Sequence, residues 1–397
     1  MLAERLEFAP ERDAEIFAAV PARPAVFLLR GPEAGAEPYV SKTANLKRRL
    51  VRLLGRTEER SRRLSLRERV SRIEFTLTGS DFESGFLLYK LLRASFPKTY
   101  AARLRLRSAP LVKLHLDNEY PRASITTRLG RLGGRSLYYG PFASRAAAEK
   151  FANDALDFFK MRRCVDDLHP DPAFPGCIYS EMKMCLAPCF KGCTDEEYAA
   201  EVARVQDFFD SRGESLTREL GTEREQASAR LEFESAAAAH ARLEKLTPVL
   251  SQLPEIVHRL DRLSGLMVQG AAEENAVTLF RVQAGAIAGP VAFAVQPAAE
   301  HAAKSQSMES RVEAALTAFP ADTHISALER VEHLAILKRW YYRSSRAGEI
   351  FFADDKGMLP MRRVVRGIGR VFHGERPEPG TPGAGAVSEL IQRERST

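Results

Sequence analysis

The chain has 397 residues, 45% of them apolar, which is enough for packed cores and more than one core usually organises, so two to four domains are expected. Its formal net charge is +7, a balance that points to polyanionic partners, and no run of eighteen or more apolar residues is present to cross a membrane. No export-type leader is read at the start, and five cysteines, an odd number, argue against a disulfide framework; the expectation is a cytoplasmic protein.

In chain order, residues 24–31 (PAVFLLRG) and 38–40 (PYV) are predicted as short strands around a polar turn, followed by a helix over 45–54. Between Lys42 and Arg72, twelve Lys or Arg stand against three Glu, among them Arg62 and Arg63. A merely solvated helix face would be laced with more acid. Lys47, Arg48, Arg52 and Arg56 recur at three- and four-residue spacing, so part of this set can share one helix face and track a phosphate backbone. A second helix is expected over 81–95, with Phe82, Phe86, Leu87, Tyr89 and Leu91 as its apolar face. Arg103, Arg105 and Arg107 alternate with apolar residues as a strand would, and further strands are expected at 111–116 and 123–127. The chain turns at Gly140-Pro141 and enters a helix capped by Ser144. Residues 195–246 read as helical with a break at 211–215, which predicts antiparallel helices. A mixed segment follows over 256–372, with turn chemistry from Gly285 to Pro290. Asp354 and Asp355 read as part of a turn, and Trp340 as either a buried helix end or a base-stacking residue. The last 25 residues are rich in Pro, Gly and charge and are expected to be disordered.

All five cysteines lie between Cys164 and Cys193, spaced C-x12-C-x7-C-x3-C with a further x3 to Cys193. Zinc knuckles favour two short C-x2-4-C pairs, and only the second half fits that. One long and one medium loop suit an iron-sulfur cluster better, with Arg163, Lys183 and Lys191 at hand to offset thiolate charge. Ordinary thiols without metal remain the alternative.

Three stretches, YYGPFASRAAAEKFANDALDFFKMRRC, GCIYSEMKMCLAPC and ARLEFESAAAAHARLEKL, resemble in order and interval the middle of the UvrC family, nucleases of bacterial nucleotide excision repair. The resemblance covers residues 20 to about 255 and thins out towards 372. It implies a 4Fe-4S cluster, or alternatively zinc, on Cys164, Cys177, Cys185 and Cys189, with Cys193 outside the set. It also implies a UVR helical hairpin that binds a UvrB-type partner through Leu231 and Phe233, with Leu231, Phe233 and Ala236 to Ala238 at apolar core positions.

The N-terminal part resembles a GIY-YIG nuclease domain whose site is depleted. AVF stands for GIY and YVS for YIG, so Phe27 replaces the first tyrosine and Ser41 the glycine, while Tyr39, Lys42 and Arg49 match. The same alignment puts Leu88 at the metal-ligand Glu and Tyr100 at the Asn. Leucine cannot coordinate the ion that such phosphodiester cleavage needs, so a bound divalent metal is doubtful unless a slipped site recruits Glu83. The family's RNase H-like and helix-hairpin-helix parts are not expected in the residues after the hairpin.

The expected architecture is α+β and multidomain: a degenerate GIY-YIG-like domain over 1–105, a linker with the cysteines over 106–195, and a UVR hairpin over 196–255. A small α/β domain over 256–372 and a tail over 373–397 complete it. The expected function is DNA binding within, or regulation of, nucleotide excision repair beside UvrB. The alternatives are an endonuclease making a single incision and an interaction protein that does not touch DNA.

Overall fold

The computed structural model describes residues 2–33, 35–56, 64–165, 167–296, 307–320 and 325–375. Arg62 and Arg63 of the basic run, and the tail from 376 onward, lie outside these residues.

Strands β1 (Glu4–Glu7), β2 (Ala25–Arg30), β3 (Tyr39–Thr43) and β4 (Arg72–Leu77) form an antiparallel sheet in the order β1-β4-β2-β3, with helices α1 (Asp13–Ala19) and α2 (Leu46–Leu54) between them in sequence. The apolar run of β2 is buried from Ala25 to Leu29, as a strand covered on both faces requires. Alternation then sorts the side chains. Phe27 and Leu29 stand opposite Ser41 and Tyr39, and Phe27 and Leu29 join Leu46, Leu50 and Leu53 of α2 in one apolar cluster. The other face meets helix α3 (Asp81–Ser95), which contacts β2 and β3. Asn45 and Ser80 cap α2 and α3 by accepting from the backbone N–H three residues on.

The arginines at 103, 105 and 107 are not on a strand. Tyr100–Leu104 is a short helix, α4, that ends with Arg105 in the left-handed region, and Leu104 and Leu106 both pack against the large core. Three alternating pairs are too few to outweigh local i to i−4 hydrogen bonding.

A second sheet combines β5 (Leu111–Leu114), β6 (Ala123–Thr126), β7 (Leu137–Gly140) and, after a long excursion, β8 (His258–Arg259), in the order β6-β5-β7-β8. Helix α5 (Arg145–Leu156) starts at Ser144 as predicted. The cysteine segment holds one short helix, α6 (Ile178–Glu181), and then α7 (Asp195–Asp210), α8 (Glu214–Ala229) and α9 (Phe233–Leu250) follow. The expected break at 211–215 is present, but the tight hairpin is α8 against α9, turning at Arg230–Glu232.

The third sheet, β9 (Ser264–Gly270), β10 (Ala276–Gln283), β11 (Ala286–Ala294) and β12 (Glu349–Phe352), has the order β11-β10-β9-β12. Its β10–β11 turn is Ala284-Gly285, both at positive φ; Gly289 and Pro290 lie within β11, beside a register shift at Leu279/Arg281. The predicted turn from Gly285 to Pro290 is therefore shorter and earlier, because Ala284 and Gly285 alone reverse the chain. Helices α10 (Met308–Leu316) and α12 (Met361–Phe372) share one apolar cluster with one face of the sheet. Helix α11 (Ala327–Tyr341) joins the other face to α3. Phe82 meets Phe280 and Trp340 edge-on, with ring centroids 5.0 and 5.7 Å away. Trp340 is a buried helix end, its Nε1 donating to the Ala347 carbonyl at 2.9 Å. Asp354 is a turn residue: its carboxylate accepts from the N–H groups of Lys356 and Met358.

Candidate functional site

Tyr39 and Arg49, two of the three residues aligned with a nuclease centre, meet. The Arg49 guanidinium on α2 donates to the Tyr39 hydroxyl at 2.8 Å, beside the buried ring of Phe27. Lys42, three residues beyond Tyr39, projects from the opposite face, where its ammonium pairs with Asp81 at the start of α3. The sheet itself separates the pair from the lysine.

Helix α2 sends Leu46, Leu50, Leu53 and Leu54 into the cluster under the sheet, leaving Arg48 and Arg52 exposed and Lys47 half-buried; Arg56 is exposed just past the helix end. The helix contains no acidic residue to pair with them. Lys47 and Arg48 stand in its first turn, where the helix dipole disfavours positive charge, so folding alone does not ask for them there. The buried Arg49 Nε has no hydrogen-bond partner among the described residues, and Arg49, Arg52, Leu53 and Leu64 line a cleft of about 350 Å³. Two guanidinium groups with an unused donor can receive phosphate oxygens.

The opposite face is closed by α11. Asp81 pairs with Lys42 and also with Arg343; burial opposes its ionisation, yet the two cations hold its carboxyl below the usual range. Glu83 is part of the α3 cap: Gly79 N donates to its carboxylate at 2.8 Å, and its own N–H donates to Ser80 Oγ at 3.0 Å. Burial raises its pKa against that backbone bond. The acid that a slipped alignment would recruit is thus occupied with holding the helix start. Leu88 lines a cavity between α3 and α11. Tyr100, at the asparagine position, donates its hydroxyl to the buried Glu332 of α11, which also accepts from Tyr89 at 2.8 Å. Burial first, and then the Glu332 carboxylate, raises both phenols above their ordinary pKa. Arg93 completes the group by pairing with Glu329 and reaching Glu332 at 4.0 Å. Glu332 lies 232 residues from Tyr100, and no local sequence signal marks it.

All five cysteines are free and half-buried. Burial pushes the Cys185 thiol up to about 11, and Cys164, Cys189 and Cys177 add to the effect. Cys193 is raised by burial, then by Glu197 and Asp195, and among the thiols only by Cys189. No three His, Cys, Asp or Glu among the described residues converge closely enough to hold a metal ion. Two of the thiols accept hydrogen bonds. Ala187 N donates to Cys185 Sγ at 3.3 Å, and the buried Arg162 donates to Cys164 Sγ at 3.4 Å, the kind of bond that tunes sulfur-ligated clusters. Sequence reasoning singled out Arg163, Lys183 and Lys191 and missed Arg162, which differs from its neighbour only in being buried, at 2% exposure.

Leu231 and Phe233 are not core residues of the hairpin. They are 71% and 69% exposed at its tip, and Ala237 and Ala238 are exposed as well. The turn places them beyond the last facing pair, and the interior is made instead by Leu216, Leu220, Ala239, Leu243 and Leu246.

Residues 110–208 match the family model described as UvrC/Cho excinuclease, middle domain. Among curated proteins, UvrABC system protein C of Rickettsia bellii (strain RML369-C) is 30% identical over 211 residues, 53% of this chain and 33% of that protein. UvrABC system protein C of Rickettsia felis (strain ATCC VR-1525 / URRWXCal2) is 28% identical over 257 residues, 64% of this chain and 39% of that protein. The protein of the same description from Rickettsia conorii (strain ATCC VR-613 / Malish 7) is 27% identical over 273 residues, 68% of this chain and 42% of that protein. The chain thus spans from 33% to 42% of the length of these relatives. No solved structure gives a significant match. Residues 110–208 are thus similar to the UvrC/Cho middle domain, and over half its length or more the chain is similar to UvrABC system protein C.

Proposed function

We propose that this chain is a DNA-binding, UvrC-like component or regulator of nucleotide excision repair that acts in the cytoplasm with a UvrB-type protein and does not cut DNA through its GIY-YIG-like domain. The observation that carries this reading is the division of roles in that domain. Tyr39, Arg49 and the acid-free basic helix stay open to a phosphate backbone, whereas Leu88, aligned with the metal ligand, and Tyr100, aligned with the asparagine, are turned towards α11. The test is incubation of bubble, nicked and lesion-bearing duplexes with Mg2+ or Mn2+, with and without UvrB, read on a denaturing gel. Binding that survives EDTA without cleavage is expected. Metal-dependent cleavage lost in Glu83→Ala would overturn the reading and install a single-incision endonuclease.

Two accessory features follow from the same resemblance. Cys164, Cys177, Cys185 and Cys189 would hold a 4Fe-4S cluster, with zinc as the alternative. Anaerobically purified protein is expected to carry iron and sulfide, to lose them in Cys185→Ser and to keep them in Cys193→Ser; stoichiometric zinc in a colourless protein would remove the iron assignment. The exposed tip at Leu231 and Phe233 supports a UVR-type contact with UvrB. Phe233→Asp is expected to weaken UvrB association in a pull-down without abolishing DNA binding, and a blank pull-down for the unmodified protein would remove the UvrB reading.

A further inference from the structure

The cavity between α3 and α11 has a definite volume, one apolar wall and one charged rim. It encloses about 300 Å³, at the lower end of the roughly 300–1,000 Å³ typical of small-molecule sites. Phe82, Leu88 and Trp340 supply the apolar wall, and Lys42, Arg339 and Arg343 the rim. Asp81 is the sole carboxylate among the lining residues, and it is shared between Lys42 and Arg343. Arg339 donates to the carbonyls of Leu104 and Arg105 at 3.2 and 2.7 Å, neutral partners that leave its charge uncompensated. Three cations against one carboxylate leave an excess of positive charge beside aromatic rings.

We propose that this cavity binds a nucleoside monophosphate, with the base against Phe82, Leu88 and Trp340 and the phosphate at Lys42, Arg339 and Arg343. Aromatic walls favour a planar ring whatever its sequence identity, and three cations around one shared carboxylate favour a doubly charged phosphate over a singly charged carboxylate. A volume of about 300 Å³ suits a single base. The same chemistry can arrive as a free mononucleotide or as a nucleotide splayed from a strand. The inference is independent of the DNA contact by α2, which lies on the other face of the sheet.

Trp340 is the single tryptophan of the chain and forms part of the wall, so its fluorescence reports on the site directly. Each of the four deoxynucleoside monophosphates is titrated into the full chain, with the nucleoside and inorganic phosphate as partial ligands and short single-stranded oligonucleotides as the strand-borne source. The expected result is saturable quenching, roughly tenfold weaker for the nucleoside, since the phosphate's charged hydrogen bonds are then missing. Leu88→Tyr, which fills the cavity without adding a tryptophan, abolishes the quenching. Arg339→Gln with Arg343→Gln removes the advantage of the phosphate but retains weak nucleoside binding, an outcome that a variant failing to fold would not give. Quenching by oligonucleotide alone assigns the strand as the source; quenching by mononucleotide at equal strength assigns the free ligand. Absence of quenching by every probe, or quenching unchanged in Leu88→Tyr, overturns the proposal.

Discussion

The two faces of the N-terminal sheet have been put to opposite uses. On the α2 face, charge is left open: Arg48 and Arg52 are exposed on a helix without a single acid, and Arg49 keeps an unused buried donor. On the α3 face, most charge is taken up in pairs: Asp81 takes two cations and Glu332 takes two phenols, with Arg93 beside it, and Arg339 at the cavity rim is the exception. The difference teaches that one sheet can leave charge open on one side and use it for packing on the other. Tyr100, at the position that the resemblance aligns with an asparagine, anchors a helix far along the chain.

The largest effect that could break this comparison is at Glu332. Glu332→Ala strips two buried phenols and Arg93 of their shared acceptor, and is expected to cost about 3–5 kcal/mol in denaturant unfolding. A cost below about 1 kcal/mol would mean that the α3–α11 seam does not hold the two parts together.

Acid should loosen the same seam. His333 of α11 packs against the rings of Phe86 and Tyr89, and its Nδ1 accepts from Ile287 N at 3.0 Å, which requires the unprotonated nitrogen. Burial, with Lys90, Arg93 and Arg330 adding to it, depresses its pKa to about 3. The unfolded chain therefore binds the proton first, and stability is lost as pH falls below about 6.5 towards that folded value, by about 1.4 kcal/mol per pH unit for each such histidine. His258, likewise depressed to about 3 mainly by burial, contributes in the same direction. Unfolding curves between pH 7 and pH 4 check this, and a flat profile would count against a tightly closed seam.

The open face predicts change in binding and little in stability. Replacing Lys47, Arg48 and Arg52 together by Ala should lower the slope of log affinity against log salt by about 3 for duplex DNA, roughly 0.9 for each phosphate that is no longer neutralised. Stability should hold or rise slightly, because two of these charges oppose the helix dipole. An unchanged salt slope would return α2 to a merely solvated face. The smallest effect is at the rim of the closed face. Asp81→Asn breaks two ion pairs whose side chains are all well exposed, and should cost no more than about 1 kcal/mol. A larger loss would make the clamp, rather than the Glu332 group, the principal tie between α3 and α11.

Where local rules suffice, the sequence alone determined the outcome. The caps at Ser80 and Ser144, the buried run of β2, the leucines of α2 and the break at 211–215 could all be read from neighbouring residues, because capping, alternation and helical periodicity act over a few positions. The basic character of α2, and the departures of Phe27, Leu88 and Tyr100 from the pattern that the resemblance implies, were equally visible. Tertiary structure alone decided that Tyr100 meets Glu332, and that Arg162 rather than Arg163 lies buried beside Cys164. It also decided that Leu231 and Phe233 stand at a tip and not in a core. The physical reason is common to these cases. Burial and partnership are set by what the rest of the chain brings to a residue, and Glu332 reaches Tyr100 from 232 positions away, a distance over which sequence pattern carries no signal.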